Sequence, residues 1–476
     1  MPKGEQAGTF GTRETSRGFR GNLGMTKTRN LHFALAGALV IAGLTLTTNA
    51  RAAGFAVAEN SAKGLGRAFA GAAAVADDAS TVFFNPAGMT YLDGINAMGA
   101  FHLILPNSEF TNNGSTVSPL LGGAPLTGGA KTSASNPLTV PNLFASYQMN
   151  DRLWVGMGLN APFGLETEYG AGWVGRYQAL RSELITINFN PAVAYRVTDW
   201  LSVGAGASVQ YAEAELSNAI DFGSVCLGSG VAPATCAGAG LTPQAADGSA
   251  NVEGNDTSFG YNLGLIVEPV ANTRLGLHYR SKISHELEGV ASFNVPAAAA
   301  FLTAGGNFQG STARAKATMP ETAAISVVHQ YSDKISVMAD ATWTHWSRFE
   351  TLTVQIDNAA SQEIVQPEDW DNTWRYSAGV EYDSLEQWAL RAGVAWDESP
   401  VKTGFRTPRI PDADRWWGSV GGSWRWSDLL TIDAGFTHIA VSDAPVNQTG
   451  STGDVLRGAF KNTTIQIFSL QGNVKF

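Results

Sequence analysis

Residues 201–211 read LSVGAGASVQY. Leu201, Val203, Ala205, Ala207, Val209 and Tyr211 occupy one parity, and Ser202, Gly204, Gly206, Ser208 and Gln210 the other. Successive side chains of a strand point to opposite faces, so this stretch predicts a strand with one apolar and one polar face. The same alternation recurs in Ile335, Val337, Ala339, Ala341 and Trp343, and in Trp374, Tyr376, Ala378, Val380 and Tyr382. A soluble sandwich alternates in the same way, so periodicity alone leaves the surroundings open.

Three features point to lipid. The runs are roughly 10 to 15 residues long, against about five or six in soluble sheets and about 9 to 11 for a tilted membrane strand. Trp154, Trp200, Trp343, Trp346, Trp374, Trp388, Trp396, Trp416 and Trp426 stand at run ends, where interfacial girdles are expected. Short turns at 150–151, 198–199, 270–273, 332–333, 383–386 and 427–428 alternate with long Gly-, Ser-, Thr- and Pro-rich connections. Short turns on one side and long loops on the other mark bacterial outer-membrane barrels. The connections delimit fourteen strands: 94–105, 139–150, 152–162, 182–197, 200–215, 256–269, 273–288, 313–331, 334–348, 373–383, 387–397, 413–427, 429–442 and 463–476. The expected fold is all-β, a 14-stranded antiparallel transmembrane barrel over residues 94–476.

Composition agrees. Among 476 residues, 53 are Gly, 13 Trp, 23 Phe and 11 Tyr, and only 15% are charged, too few to solvate an ordinary soluble surface. A net charge of −10 without a basic run excludes a nucleic-acid footprint. Lys27 and Arg29 precede an apolar run from Phe33 to Leu46, and Ala50-Arg51-Ala52 follows. That pattern is a secretory signal peptide at 25–52, whose run is too short to span a bilayer as a helix. Residues 1–24 are expected to be an upstream extension, with Met25 the start. Cys226 and Cys236 lie in a Gly-, Ala- and Pro-rich stretch, and in an exported chain they are expected to close a loop as a disulfide. The alternatives are two free thiols or a metal pair, for which no His or further Cys stands near.

No nucleophile elbow of the G-x-S-x-G kind joins a strand to a helix, and the seven His show no ligand spacing, so no enzyme is expected. No metal or other cofactor is expected either. Asp412-Ala413-Asp414 lacks the further oxygen donors and turn glycine of a calcium loop.

Ahead of the strands, residues 64–92 read GLGRAFAGAAAVADDASTVFFNPAGMTYL, small and non-alternating. With Gly64-Leu65-Gly66-Arg67, Asp77-Asp78 and Asn85-Pro86-Ala87, this segment resembles the hatch of the FadL-type family of outer-membrane transporters. Later matches are Tyr279-Arg280-Ser281, Pro320-Glu321, Trp346-Ser347, Asp397-Glu398-Ser399-Pro400-Val401 and IPDADRWWGSVG at 410–421. The resemblance implies that residues 53–93 form a lumenal hatch with short helices. It also implies passive uptake of hydrophobic small molecules, long-chain fatty acids or monoaromatic hydrocarbons, with lateral release at a kink in the third strand. A structural or adhesive barrel and an open porin are the competing classes.

Residue by residue, the resemblance assigns Asn85, Pro86, Ala87, Asp77, Asp78 and Arg67 to the plug, with the two aspartates against basic groups of the wall. It assigns Ala53, Gly54 and Phe55 to the ligand pocket, and Asn160, Ala161, Pro162, Phe163 and Gly164 to the lateral opening. Proline cannot donate to a ladder and glycine packs nothing, which independently marks 160–164 as interrupted pairing. Arg280, Arg314, Arg375 and Arg391 are candidate cations for a carboxylate; the acidic stretch 361–371 lacks the lysine that fatty-acid carriers lead one to expect. The expected partners are the hydrophobic ligand, outer-membrane lipids and lipopolysaccharide, and the assembly machinery, whose signal the terminal Phe476 resembles. The chain is expected to be a monomer in the cell outer membrane of a Gram-negative bacterium.

Overall fold

A computed structural model describes residues 54–133, 136–358, 360 and 363–476. Ala53, the expected leader at 25–52 and the expected extension at 1–24 lie outside the described residues. In the stretch 201–211 the parity resolves the surroundings: Ser202 is 2% exposed, whereas Val203 is 37% exposed. Ser208 and Gln210 are likewise buried, and Val193, Phe259, Leu277, Val380 and Leu470 on other strands are exposed. The polar face turns inward and the apolar face outward, the reverse of a soluble core, so the outward face is built for lipid.

Fourteen strands, counted among the described residues, pair antiparallel in sequence order. They are β1 (Ile95–Asn112), β2 (Leu138–Asn150), β3 (Leu153–Asn160, resumed at Gly164–Glu168), β4 (Arg181–Thr198), β5 (Leu201–Asp221) and β6 (Asp247–Val270). Next come β7 (Thr273–Arg280 and Ile283–Asn294), β8 (Ser311–Met319 and Thr322–Ser332), β9 (Ile335–Thr344 and Thr351–Ile356) and β10 (Ile364–Pro367 and Thr373–Leu385). The last are β11 (Trp388–Asp397), β12 (Arg415–Arg425), β13 (Leu430–Val441 and Ala444–Thr449) and β14 (Val455–Lys475). β1 and β14 pair from Asn96 opposite Lys475 to Asn112 opposite Gly458, which closes the sheet and removes its edges.

Several strands outrun the expected ranges. β6 begins at Asp247, not 256, and β14 at Val455, not 463. Beyond the lipid the outward face meets water, so the alternation that marks a strand disappears while the ladder continues. Two girdle assignments are corrected. Trp154 and Trp346 are fully buried, whereas Trp200, Trp374, Trp388, Trp416 and Trp426 are exposed as a girdle requires. Trp154 faces the lumen and donates its indole N–H to the Leu92 carbonyl at 2.9 Å.

Residues 54–92 form three single-turn helices, α1 (Ala62–Leu65), α2 (Ala72–Val75) and α3 (Thr81–Phe84), and a 3-10 segment at Pro86–Tyr91. Ser61 caps α1 by accepting the Gly64 N–H. α1 packs on β12, β13 and β14, α2 on β7 and β8, and the 3-10 segment on β3 to β6. Contacts to strands on opposite sides of a closed sheet place this segment in the lumen. Alanines and glycines let it follow the wall: a Cβ at Gly264 would stand 1.9 Å from Asn85 Oδ1, and one at Gly276 would stand 2.0 Å from the Ala73 carbonyl oxygen.

Between β5 and β6, helices α4 (Phe222–Gly228) and α5 (Pro233–Gly238) are joined by a Cys226–Cys236 disulfide. They enclose a small apolar cluster with Leu241, Ala299 and Leu302.

Candidate functional site

The pairing of β3 fails where Pro162 falls. Asn160 stands opposite Asn188 of β4 and pairing resumes at Gly164 opposite Ile185, so three residues on β3 face two on β4. This is a bulge of one extra residue. On its other side β3 pairs with β2 only as far as Leu159 opposite Leu143, although β2 continues to Leu138 and Gly164–Glu168 is extended. The two strands therefore make no ladder pairing along Leu138–Asn142.

Residues 55–60, at the head of the described segment, fill that place. Val57 donates its N–H to the Pro162 carbonyl at 2.9 Å, and Gly164 donates to the Phe55 carbonyl at 2.8 Å. Asn60 and Asn160 extend the seam: Asn160 Nδ2 donates to Asn60 Oδ1 at 2.8 Å and Asn188 Nδ2 to Asn160 Oδ1 at 3.1 Å. Asn142 of β2 donates to the Glu59 carbonyl at 2.7 Å.

Phe55 is buried among rings, with centroids at 4.7 Å for Trp346, 5.5 Å for Phe349 and Trp370, and 6.0 Å for Phe163. Gly54 donates its N–H to Asp412 Oδ2 at 3.1 Å, and Asp412 also takes the Ser399 hydroxyl and the Arg415 guanidinium. That aspartate is a hub for the head of the described segment; among the described residues no His, Cys, Asp and Glu group is arranged to hold a metal. Replacing Phe55 by Ala is expected to weaken this anchorage by about 3–5 kcal/mol, as for other buried aromatics. Hydrogen exchange at the Val57 and Gly164 amides measures it; unchanged protection would contradict the anchor.

A cavity of about 170 Å³ opens beside the seam. Its apolar wall includes Phe69, Phe83, Phe84, Pro162, Phe163 and Trp346, and its polar wall His278, Arg280, Asp340, Arg375 and Asp397. The segment's start contributes Ala56, Val57 and Ala58 to it, while Phe55 is committed to the ring cluster.

Asn85 joins the segment to the wall. Its Nδ2 lies 2.6 Å from the Ala73 carbonyl, 3.1 Å from that of Leu265 on β6 and 3.2 Å from that of Leu277 on β7. Its Oδ1 accepts the Ala87 N–H at 3.1 Å, and Pro86 occupies the first position of the 3-10 turn, where no N–H is needed. The expected pairing of Asp77 and Asp78 with wall cations is corrected. Asp77 takes a two-pronged bond from Arg67, at 2.9 and 3.1 Å, and lies 3.7 Å from Lys63, both in its own segment. Burial alone would raise the Asp77 carboxyl; the charges of Arg67 and Lys63 hold it well below the carboxylate range. Asp78 accepts from Gln471 on β14 at 2.8 Å. Arg67 reaches the wall through a carboxylate, Glu381, at 3.6 Å. The segment is thus neutralised mostly by folding back on itself.

Of the four candidate cations, Arg391 is bound to Glu381 and lies 3.4 Å from Asp433, and Arg314 is exposed beside Glu288. Arg375 donates to the Ala68 carbonyl and stands in register opposite Asp397. Arg280 is buried against the Phe83 ring, 4.1 Å from its centroid. Sequence reasoning did not single out Glu59, Trp370, Phe349 or the wall glycines; position in the fold, not residue type, makes them part of the site.

The lipid-facing exterior of this closed antiparallel sheet makes it an outer-membrane barrel, and the segment across its lumen makes it a plugged one. A family model described as outer membrane protein transport protein (OMPP1/FadL/TodX) matches residues 43–476, and the chain belongs to this family of outer-membrane transporters of hydrophobic molecules. A long-chain fatty acid transport protein of Salmonella typhi is 30% identical over 86% of this chain and 93% of its own. The crystal structure of a Pseudomonas aeruginosa FadL homologue shares 27% identity with a TM-score of 0.80, covering 89% of this chain and all of that one. The P. putida toluene transporter TodX shares the fold, with a TM-score of 0.62 at 19% identity, over 84% of this chain and 94% of its own.

Proposed function

We propose that this protein takes up hydrophobic small molecules of the long-chain fatty acid type passively and releases them sideways through the opening beside β3. One observation carries the reading: the break at Ala161–Phe163, the docked residues Phe55–Val57 and the cavity wall at Pro162 and Phe163 coincide. In this reading residues 53–93 are the hatch. Asn85, Pro86 and Ala87 fix it to the wall, Asp77, Asp78 and Arg67 keep it folded, and Gly54 and Phe55 belong to the ligand pocket beside the cavity. Lateral release suits such cargo. Each methylene kept from water is worth about 0.8 kcal/mol, so an axial exit into the periplasm would forfeit most of the free energy of burial. The terminal Phe476, whose N–H donates to the Ile95 carbonyl, is proposed as the assembly signal of a monomeric barrel embedded among outer-membrane lipids and lipopolysaccharide.

A second reading, monoaromatic hydrocarbons as cargo, draws support from the cavity volume, since an apolar cavity of about 150 Å³ holds one benzene. Uptake of labelled oleate and labelled toluene by cells with and without the protein tests both. Deleting Ala161 removes the extra residue of the bulge and is expected to restore pairing and cut uptake several-fold. Uptake of both compounds that ignores the protein, with free ion conduction by the reconstituted barrel, would leave an open porin.

A further inference from the structure

Beyond its lipid-facing stretch, on the side of the long loops, the outer surface of the barrel changes character on two strands. On β7, Lys282, Ser284, Glu286 and Glu288 are exposed, while Ile283, His285 and Leu287 between them are buried. On β8, Arg314 and Lys316 are exposed, while Ala313 and Ala317 are buried. The ladder sets Glu286 opposite Lys316 and Glu288 opposite Arg314. Lys316 Nζ lies 3.1 Å from Glu286, and Arg314 lies 3.6 Å from Glu288 and 3.7 Å from Asp357. The Lys316 and Arg314 side chains are 81% and 61% exposed. The cations are local to these strands: residues 212–221 of β5 and 247–258 of β6 contain no Lys, Arg or His, and Thr351–Ile356 of β9 carries no charge.

Height decides what this surface meets. Tyr261 and Tyr279, with ring centroids 6.0 Å apart, edge the apolar outer surface of Leu263, Leu275, Leu277 and Ile325. At about 3.3 Å per residue and a tilt of about 40°, Lys282 stands roughly 8 Å and Glu286 roughly 18 Å beyond those rings. That is the level of the saccharide head groups crowning an outer leaflet, not of free solution. Phe259 of β6, 74% exposed, marks the step between the two surfaces. Ser258 beside it donates its hydroxyl to the Ser284 carbonyl at 2.9 Å, which sets the Phe259 ring at the level of Lys282 and Ser284.

Exposed ion pairs hold weakly and exchange partners readily. A ladder of both signs therefore suits a partner that is itself of both signs. In the outer leaflet phosphates are cross-bridged by divalent cations; Lys and Arg take the phosphates, and carboxylates take the metal ions.

We propose that the outward ladder of β7 and β8 is the docking surface for one lipopolysaccharide head group. Lys282, Lys316 and Arg314 bind its phosphates, Glu286 and Glu288 share the divalent cations that bridge them, and Phe259 lies against an acyl chain. The surface continues the lipid-facing wall and lies outside the barrel, apart from the lumenal cavity. Ile283, Leu287 and Ala317, on the inward face of the same stretch, belong to the cluster around Phe55, so a docked lipid braces the wall behind that cluster.

The test is native mass spectrometry of the full chain in mild detergent with Mg2+, titrated with lipid A bearing both phosphates and with dephosphorylated lipid A. Wild type is expected to hold one phosphorylated lipid A about tenfold or more tighter than the dephosphorylated one. Arg314→Ala with Lys316→Ala is expected to abolish that preference. Arg457→Ala with Lys461→Ala, which removes as much exposed charge from β14, is expected to keep it. Chelating Mg2+ is expected to weaken binding several-fold in wild type and much less in Glu286→Gln with Glu288→Gln. Equal binding of the two lipids by wild type, equal loss in the two alanine pairs, or wild-type binding indifferent to chelation would overturn the proposal. Phosphatidylglycerol held as tightly as phosphorylated lipid A would also overturn it, leaving an unspecific contact with anionic lipid. All the substituted side chains are exposed, so heat-dependent gel mobility is expected to report folded variants, and the wild-type comparison of the two lipids decides without them.

Discussion

Asn85→Leu is expected to turn a silent barrel into a conducting one. Fourteen strands enclose more space than side chains alone can fill, since eight already hold a packed interior and sixteen leave an aqueous channel. The lumen is therefore closed by residues 54–92, and Asn85 is the side chain of that segment that reaches both β6 and β7, beside the bonds that Asn262, Arg274 and Arg280 send to its carbonyls. Asn85 Nδ2 lies within 3.2 Å of three carbonyls, two of them on the wall, and Oδ1 satisfies the Ala87 N–H. Leucine supplies none of these bonds and is larger where the wall has given up its Cβ atoms at Gly264 and Gly276. Each buried polar group left unmet costs about 1–3 kcal/mol, so the loss should reach several kcal/mol of seating free energy. Gly264→Val attacks the same contact from the wall, because its Cβ would overlap Asn85 Oδ1. Both variants should show current steps in planar bilayers and protease cuts between Ala68 and Ala79 that wild type lacks. Silent, protected variants would mean that the Arg67–Asp77 fold-back, the Gln471 contacts and the bonds from Asn262, Arg274 and Arg280 hold the segment without Asn85.

The barrel was readable because lipid imposes a strict alternation on every strand it touches. Parity also held more than was first drawn from it. Trp154 shares its parity with Asn160 and opposes Val155 and Met157, both of which are exposed, so its lumenal position followed from the strand itself. Strand ends were not readable, since Asp247–Asp256 of β6 carries no regular alternation of apolar and polar residues. The break at Pro162 was legible as a break. That Phe55–Val57 occupies it was not, because a bridge between residues about a hundred positions apart depends on closure of the whole sheet. The Asp77 partners were hidden differently: Arg67 and Lys63 reach it only once α1 and α2 have folded the segment back.

Glu59 should make the docking of residues 54–60 depend on pH. Its side chain is wholly buried between that segment and the wall, and neither carboxyl oxygen reaches a partner outside its own residue. The charged groups facing it are Arg375 of β10, Arg415 of β12 and Asp397 of β11. Burial pushes the carboxyl up to about 7, against the lowering effect of its own backbone amide and the two arginines. With the docked value above the ordinary 4.5, the docked state keeps its proton where the undocked state has lost it. The stabilisation is therefore complete below about 4.5, declines as pH rises toward about 7, and is absent above it. Over that window the change amounts to about 3 kcal/mol. Hydrogen exchange at the Val57 amide, which bonds to Pro162, reads docking directly. Wild-type protection should fall between pH 5 and pH 8, after correction for the intrinsic exchange rate, while Glu59→Gln, neutral throughout, should hold it nearly constant. An equal slope in both proteins would assign the dependence to other groups. If cargo leaves beside β3 as proposed, the docked segment lies across its exit, and the same variant should also flatten any pH dependence of uptake between those limits.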